Sequence, residues 1–459
     1  MKFASLSKLG VMGSLLLIGA SGCSSSDSTT GAGNTGKVED SLEIFSWWTS
    51  GGEVAALNAL LGVYTKENPG VDVTNAAAMD PTNARETMKK RLETGDPPDS
   101  FQAISGVDVM SWVAAGKMTP ITSLSKANAW DNAFPPAVTD ILKKDGELYA
   151  VPVNIERDNN LYYNMAVMSA NKVDAPKTLD DFYAACATLQ KNNVVPLAMP
   201  AAGWVLALAA FETLMPSVNG GDYYMDFFSG NVDPTGPELT KLFTEFNKVL
   251  ACSNVATADP SWGVNGDIVY KGDAAMYVMG DWAKGYFEGG VDAAGATRKA
   301  WKANTDFGVV PGLGGDGYFT FNSAVFGLPK GLQHPNAAGA FLTVTGSLEG
   351  QQAFNPLKGS VPARTDADLT LFDDMVRASA LDFKTAGMGT HKLLPGYASL
   401  TTLDFQNAIN PALLVFAVGG ERAIVDDPTV PASEKGIPAG DVSYITAKIA
   451  SNYSYLTAK

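Results

Sequence analysis

The first clear hydrophobic pattern lies at residues 42–48, which predict a buried strand ending in two adjacent tryptophans, Trp47 and Trp48. A glycine-rich turn follows, and a helix is then predicted to open near Glu53. Alternating helices and strands continue over residues 53–67, 71–73, 83–94, 100–104 and 107–115. This order is typical of a mainly parallel sheet with helices on its faces, whose ligands bind beyond the carboxyl ends of the strands.

A second region of helices and strands follows a long extended segment. An Asp-Gly pair at residues 145–146 predicts a hairpin turn, and the chain then continues extended through residues 148–164. Further elements are predicted at residues 179–191, 195–199, 206–214, 238–250, 268–280 and 305–311, and residues 318–328 predict a second extended crossing. Two α/β lobes joined by more than one crossing are typical of a hinge-bending clamp that binds its ligand in the interlobe cleft.

Length and composition narrow the class of protein. The 459 residues exceed one ordinary hydrophobic core, so two domains are expected and three are possible. Hydrophobic residues make up 46% of the chain and charged residues 18%, which is typical of a globular protein. The net charge of −15 argues against binding nucleic acid or an anionic membrane surface.

The beginning of the chain predicts export and a lipid anchor. Residues 1–22 have the order of a signal peptide, with a basic segment before a short apolar run. The run Ala-Ser-Gly-Cys that ends at Cys23 matches a bacterial lipoprotein cleavage site, so Cys23 would carry lipid; ordinary secretion is the alternative. Residues 23–40, rich in Ser, Gly and Thr, predict a flexible tether.

The two remaining cysteines, Cys186 and Cys252, both lie in helical patterns. In an oxidising envelope compartment an isolated pair most often forms a disulfide. Metal binding is not expected, because no histidine or second cysteine lies near either one in the sequence.

Six short segments share the order and spacing of a known family: residues 42–48, 95–99, 151–155, 279–283, 326–331 and 354–360. They resemble the extracellular solute-binding proteins of bacterial ABC sugar importers, most closely the glucose/mannose-binding subgroup. The resemblance implies a two-lobe α/β fold of the periplasmic-binding-protein-like II type, with an interlobe cleft and extended hinge crossings. It also implies no catalysis and no cofactor. The protein would act as a monomer that captures a sugar and delivers it to a membrane permease.

The same resemblance implies how the chain is divided. Lobe 1 would comprise residues 41–154 and about 322–362, and lobe 2 residues 155–321 and about 363–459. No G-x-x-x-x-G-K-[ST] motif is present, so ATP would be used by a separate subunit.

The family's sugar site is carried over to aromatic, acidic, amide and basic residues at strand ends and crossings. In the first lobe and crossing these are Trp47, Trp48, Glu53, Gln102, Asn154, Glu156 and Arg157; farther along the chain they are Trp204, Trp262, Asp281, Trp282, Lys358 and His391. An indole offers a flat apolar face to the C–H groups of a sugar, and the polar side chains can bind its hydroxyls.

Structural roles are open for several of these residues. Glu53 could interact with the positive end of its helix dipole, and Asp281 could cap the helix that follows it. Arg157 could pair with the acidic residues on either side of it. Trp262, predicted in a loop, could be a surface contact, and Lys358, in a turn flanked by Pro and Gly, could be solvated.

Two departures from the family bear on specificity. Ile104 stands where close relatives present a histidine, and the segment around Ala324 stands where they present an aspartate. Both changes remove polar contacts, and an unpaired buried hydroxyl costs roughly 1–3 kcal/mol. The expected ligand is therefore glucose, another hexose, a pentose or a disaccharide.

Three other functions are compatible with parts of the sequence. A secreted glycoside hydrolase also needs tryptophans and two carboxylates, for which Glu53 and Asp281 could be cast. A solute-binding protein for a peptide or polyamine would share the clamp, although the candidate cleft residues are mixed and aromatic rather than mainly acidic. A surface lipoprotein for adhesion would need no closed cleft.

Overall fold

A computed structural model describes residues 36–49, 51–76, 81–315, 317–389 and 392–456, with the backbone alone at residues 81–85. The predicted signal peptide, Cys23 and His391 lie outside these residues. Within the described part of the chain, no helix has the length and apolar character needed to span a membrane.

The strands of the described chain are short and spread over its whole length. They are β1 (Ser41–Phe45), β2 (Asp72–Asn75), β3 (Ser100–Ile104), β4 (Met118–Thr119), β5 (Lys143–Lys144), β6 (Glu147–Leu148), β7 (Ala150–Pro152), β8 (Asn154–Arg157), β9 (Asn160–Asn164), β10 (Val195–Ala198), β11 (Ala274–Val278), β12 (Phe307–Pro311), β13 (Phe319–Asn322), β14 (Ala324–Pro329), β15 (Val361–Pro362) and β16 (Leu393–Pro395).

Helices lie between these strands and make up most of the last third of the chain. They are α1 (Gly51–Glu67), α2 (Pro81–Thr94), α3 (Val107–Ala114), α4 (Thr122–Ala127), α5 (Pro136–Thr139), α6 (Met165–Ala170), α7 (Leu179–Lys191), α8 (Gly203–Ala207), α9 (Met215–Asn219), α10 (Gly221–Phe228), α11 (Pro237–Ala251), α12 (Trp262–Lys271), α13 (Trp282–Glu288), α14 (Pro335–Thr345), α15 (Leu348–Lys358), α16 (Asp374–Ala386), α17 (Tyr397–Leu400), α18 (Leu403–Val418), α19 (Gly420–Asp426) and α20 (Val442–Asn452). A π-helical stretch, Leu208–Leu214, joins α8 to α9.

The first sheet has the order β2-β1-β3-β14-β4, and β7 also pairs with β14. Strand β1 runs parallel to β2 and β3, as the strand–helix alternation predicts. Strand β14 is antiparallel to β3 and enters from a distant part of the chain. Leu42, Ile44 and Phe101 of this sheet are buried in one hydrophobic core together with Leu57 and Leu60 of α1.

The second sheet has the order β10-β11-β9-β12 and a separate core. Strands β10 and β11 are parallel, whereas β9 is antiparallel to both of its neighbours. Phe211, in the π-helical stretch, packs against Phe227, Phe243 and Tyr397 at the centre of this core. Two sheets with two cores confirm the predicted two-lobe α/β fold.

A third sheet, β15-β8-β13-β16, gathers the segments that pass between the two cores. Residues 318–328 are extended, as predicted for a second crossing, and they contribute to two sheets. The segment is divided at Ser323, so that β13 joins the third sheet and β14 joins the first. The Ser323 hydroxyl donates to the carbonyl oxygen of Asn154 at 2.7 Å, and the Ala324 N–H donates to Asn154 Oδ1 at 2.9 Å. These bonds satisfy the backbone at the bend.

Local sequence sets several element ends. Thr178 and Asp181 form a capping box at the start of α7. Gly272 ends α12 with a φ of 86°, a conformation that glycine adopts without steric cost. The predicted disulfide is present: Cys186 of α7 is bonded to Cys252, directly after α11, with their Cα atoms 5.8 Å apart. It joins two helices of the second core.

Candidate functional site

Lys358, the last residue of α15, lies at the centre of the candidate site. Only 1% of the residue is exposed, so it is not the solvated turn residue that its sequence context allowed. Its Nζ lies 2.6 Å from Glu156 Oε1 and 3.3 Å from Glu53 Oε1. Residues from α15, β8 and the first turn of α1 thus converge on one buried ammonium.

Two indole rings flank this ammonium. Nζ of Lys358 lies 5.2 Å from the ring centroid of Trp282 and 6.0 Å from that of Trp48. At about 6 Å or less a cation is attracted to the face of an aromatic ring. Trp282 begins α13 in the second core's lobe, whereas Trp48 follows β1 in the first. The cluster therefore has members from both lobes and from the third sheet.

Burial and charge set the protonation of the cluster. Burial alone lowers the pKa of Lys358, but the carboxylates of Glu156, Glu53 and Asp281 outweigh it and raise that pKa, so the ammonium stays charged. Burial raises the pKa of Glu53, and the nearby Lys358 opposes this only in part. Burial also raises the pKa of Asp281 well above its usual range. One fixed cation and several carboxyl groups can donate to and accept from a polyhydroxylated ligand.

Trp48 and Trp47 differ in their surroundings. Trp48 is 1% exposed, and its ring packs against Phe354 with the centroids 4.8 Å apart. Trp47 is half-buried and lines a small cavity of about 10 Å³ together with Trp112. Trp47 is thus the more exposed of the two indoles, while Trp48 approaches Lys358 from within the core.

The Gln102 side chain forms hydrogen bonds with both indoles. With its amide nitrogen 2.6 Å from Ser46 Oγ, its amide oxygen lies 3.2 Å from Trp47 Nε1 and 3.3 Å from Trp48 Nε1. In this orientation Gln102 accepts a hydrogen bond from each indole and donates one to Ser46. Its polar atoms are thus engaged within the protein, and its effect on the site is to orient Trp47 and Trp48.

Asn154 supports the site from the third sheet. The residue is fully buried, and its Nδ2 donates to Glu156 Oε1 at 3.1 Å. The same amide lies 3.3 Å from Ser360 Oγ, just beyond Lys358. Asn154 therefore holds Glu156 in place against Lys358.

Arg157 and Asp281 are in direct contact and line the same cavity. The backbone N–H of Arg157 donates to Asp281 Oδ2 at 3.0 Å, so the Asp281 side chain binds a neighbouring strand rather than capping α13. The Arg157 guanidinium pairs with Asp382 Oδ2 at 2.7 Å. Both residues line a cavity of about 160 Å³ together with Lys284. The sequence had offered only the acidic neighbours of Arg157 as partners, because Asp382 is distant along the chain.

Trp204 and Trp262, the remaining two candidate tryptophans, pack against the second core. Trp204 approaches Trp282 with the ring centroids 6.3 Å apart, which extends the aromatic surface of the site. Trp262 is the first residue of α12 and not a loop residue, because Ser261 caps that helix by accepting from the Val264 N–H. Its ring packs edge-on against Tyr286 at 5.2 Å.

Two carboxyl groups near the third sheet were missed at the sequence level. Asp158 and Glu212 are buried, and the nearby Glu212 carboxyl adds to the rise in the pKa of Asp158 that burial causes. Burial raises the pKa of Glu212 to about 7 and raises that of Asp158 well above its usual range. A lone glutamate within the apolar π-helical segment was the available signal. Among the described residues, no group of three or more acidic, histidine or cysteine side chains is arranged to hold a metal ion.

The fold and site together define a two-lobed α/β binding protein with polar and aromatic groups from both lobes at one buried cluster. Residues 59–381 match the family model described as bacterial extracellular solute-binding protein. The chain is 33% identical to an uncharacterized ABC transporter extracellular-binding protein of Pyrococcus horikoshii, over 84% of this chain and 87% of the relative. The chain belongs to this family of extracellular solute-binding proteins, which are binding proteins and not enzymes, as predicted.

Other relatives agree with this assignment, and a solved structure shares the fold. A probable sugar-binding periplasmic protein of Mesorhizobium japonicum is 34% identical, over 76% of this chain and 82% of its own length. The xylose/arabinose-binding protein XacG of Haloferax volcanii is 28% identical, over 75% of this chain and 74% of its own length. The bacterial solute receptor AcbH, described with an exclusive preference for β-D-galactopyranose, superposes with a TM-score of 0.73 at 19% identity, covering 90% of this chain and 98% of that one. At that identity the likeness shows the fold alone.

Proposed function

We propose that this chain is the sugar receptor of an ABC importer, which captures a monosaccharide or a related sugar and delivers it to a membrane permease. The observation that carries the proposal is the cluster of Lys358, Glu53 and Glu156 beside the rings of Trp48 and Trp282. A sugar has apolar C–H faces and a polar edge, and this cluster offers aromatic faces next to charged donors and acceptors.

The named relatives support the choice of a sugar. Relatives from Mesorhizobium and Haloferax carry sugar-binding names, one of them for pentoses. Structural neighbours bind a monosaccharide in one case and chitin oligosaccharides in another. We favour a small sugar because the cluster is compact: a single ammonium approaches both indole rings and two carboxylates.

Transport would use differential binding. Trp48 and Glu53 belong to one lobe and Trp282 to the other, so a ligand contacts both sides only when the lobes are close. A ligand that binds one conformation more tightly shifts the population toward it. The permease would then recognise the closed receptor. We also propose that the two lobes have the boundaries given above, that the protein is a monomer, and that lipid on Cys23 anchors it to the membrane.

The proposal is tested by thermal unfolding of the purified protein against a panel of monosaccharides and disaccharides. A ligand at one hundred times its Kd stabilises the folded state by about 2.7 kcal/mol, which raises the melting temperature measurably. We expect a shift with one or two sugars, lost in Trp282→Ala and retained in Tyr455→Ala, which removes an aromatic ring that is 40% exposed. A shift with peptides or polyamines instead would support a solute-binding protein but would show that its ligand is not a sugar.

A further inference from the structure

The backbones of two helices from different lobes touch at a pair of glycines. A Cβ placed on Gly52 of α1 would lie 2.7 Å from both the carbonyl carbon and the carbonyl oxygen of Gly285 in α13. Ordinary van der Waals contact begins at about 3.4 Å, so any side chain on Gly52 would overlap with the backbone of α13. Helix α1 belongs to the first core and α13 to the second.

The end of α15 completes this contact. A Cβ on Gly285 would lie 2.5 Å from the carbonyl oxygen of Leu357 and 2.7 Å from that of Lys358. A Cβ on Gly359 would lie 2.9 Å from the carbonyl oxygen of Asp281. We call Gly52, Gly285 and Gly359 the glycine junction.

The glycine junction is adjacent in sequence to the candidate site. Gly52 precedes Glu53, Gly359 follows Lys358, and Gly285 lies one helical turn after Trp282. The distance between the backbones of α1, α13 and α15 therefore fixes how closely the charged groups and the indole can approach one another. None of the three glycines has a side chain with which to bind a ligand.

We propose that the contact between Gly52 and Gly285 is made when the lobes close and that it sets how far they close, so that these glycines position the sugar site without touching the sugar. This inference rests on the proposed function as a sugar receptor. A side chain at Gly52 would hold α1 and α13 apart and would weaken every ligand contact that needs both lobes.

Gly52→Ala isolates this steric effect. Gly52 lies in α1 without a positive φ, so alanine meets no backbone strain there. Gly62→Ala is the matched control, because it makes the same change in the same helix at a position where a Cβ meets no atom within 4 Å. Both substitutions replace a helical glycine by a better helix former, and they differ in what the new methyl group contacts.

The expected result has three parts. Gly52→Ala binds the sugar found in the panel about tenfold or more weakly than Gly62→Ala, because overpacking is imposed on the closed state alone. Its radius of gyration at saturating sugar, measured by small-angle X-ray scattering, stays above that of Gly62→Ala. Its melting temperature without sugar equals that of Gly62→Ala, because each lobe folds around its own core.

Two results would overturn the inference. Equal affinity and equal compaction of the two variants would show that closure does not need the contact. A sharp fall in the sugar-free melting temperature of Gly52→Ala would show that the contact is permanent packing. If the unsubstituted protein binds no sugar, the proposed function fails, and the inference is tested separately in trimethylamine-N-oxide. This solute favours the more compact conformer, so Gly52→Ala must then compact less than Gly62→Ala.

Discussion

Replacing Lys358 with methionine removes the ammonium at the centre of the site while keeping a long apolar side chain. Lys358 is 1% exposed, and its Nζ lies 2.6 Å from Glu156 Oε1 and 3.3 Å from Glu53 Oε1. In the variant these carboxyl groups keep their buried positions but lose the cation that compensates them. We expect the protein to be less stable for this reason alone, whether or not a sugar binds.

The expected loss in the free energy of unfolding depends on how deeply the ion pair is buried. Removing one partner of a buried ion pair costs about 3–5 kcal/mol, because the remaining charge is left uncompensated. An exposed pair contributes about 0–1 kcal/mol. Lys66 and Glu349 provide this comparison within the same protein, with Nζ and Oε1 2.8 Å apart and side chains 73% and 55% exposed. Lys66→Met is thus a matched control with a similar distance and a different degree of burial.

Urea unfolding measures the loss directly. Burial already raises the pKa of Glu53, and removing Lys358 raises it further. The folded variant therefore binds protons that the unfolded chain releases, and its stability deficit grows as pH rises from about 5 to about 8. Glu156→Gln in the Lys358→Met background should recover part of the loss. A deficit no larger than that of Lys66→Met, or one equal at both pH values, would refute the reasoning.

Three further predictions concern features outside the ion cluster. Cys186→Ser with Cys252→Ser should lower the free energy of unfolding by about 4 kcal/mol, since the bond spans 66 residues; the loop-entropy estimate fails if reduction of the unsubstituted protein leaves its urea transition unchanged. Glu212, whose pKa burial raises to about 7, keeps its proton in the folded protein where the unfolded chain loses it. Stability relative to Glu212→Gln should therefore fall as pH rises from about 4.5 to about 7, and parallel pH curves for the two proteins would contradict this. Gln102→Met leaves two indole N–H groups without their acceptor, which should cost roughly 1–3 kcal/mol and shift the tryptophan fluorescence. An unchanged emission spectrum would indicate that Gln102 does not orient the indoles.

Much of the candidate site was recognisable because its residues lie at the ends of predictable elements. Trp48 follows a strand and Glu53 lies in the first turn of a helix, and the periodicity of the chain predicts both elements. The role of Gln102 was not predictable in the same way. Its amide bonds depend on the side-chain orientation of residues more than fifty positions away, and no local pattern encodes that geometry.

Gly52 shows how much the local sequence left open. The glycine pair before Glu53 predicted a turn ahead of the helix, which was wrong, because α1 already begins at Gly51. What makes Gly52 important is the absence of a Cβ at a contact with Gly285, which lies in another lobe. The sequence shows that residue 52 has no side chain, but it does not show which backbone packs against it.

By itself the sequence determined the alternation of strands and helices and the division into two lobes, because hydrophobic periodicity is a local property. It also determined the disulfide between Cys186 and Cys252, because these are the only two cysteines besides Cys23. Only the tertiary structure decided that residues 318–328 split between two sheets, that Lys358 is buried between two carboxyl groups, and that Arg157 pairs with Asp382. These features depend on the dielectric environment and on contacts between distant segments. Both exist only once the chain has packed.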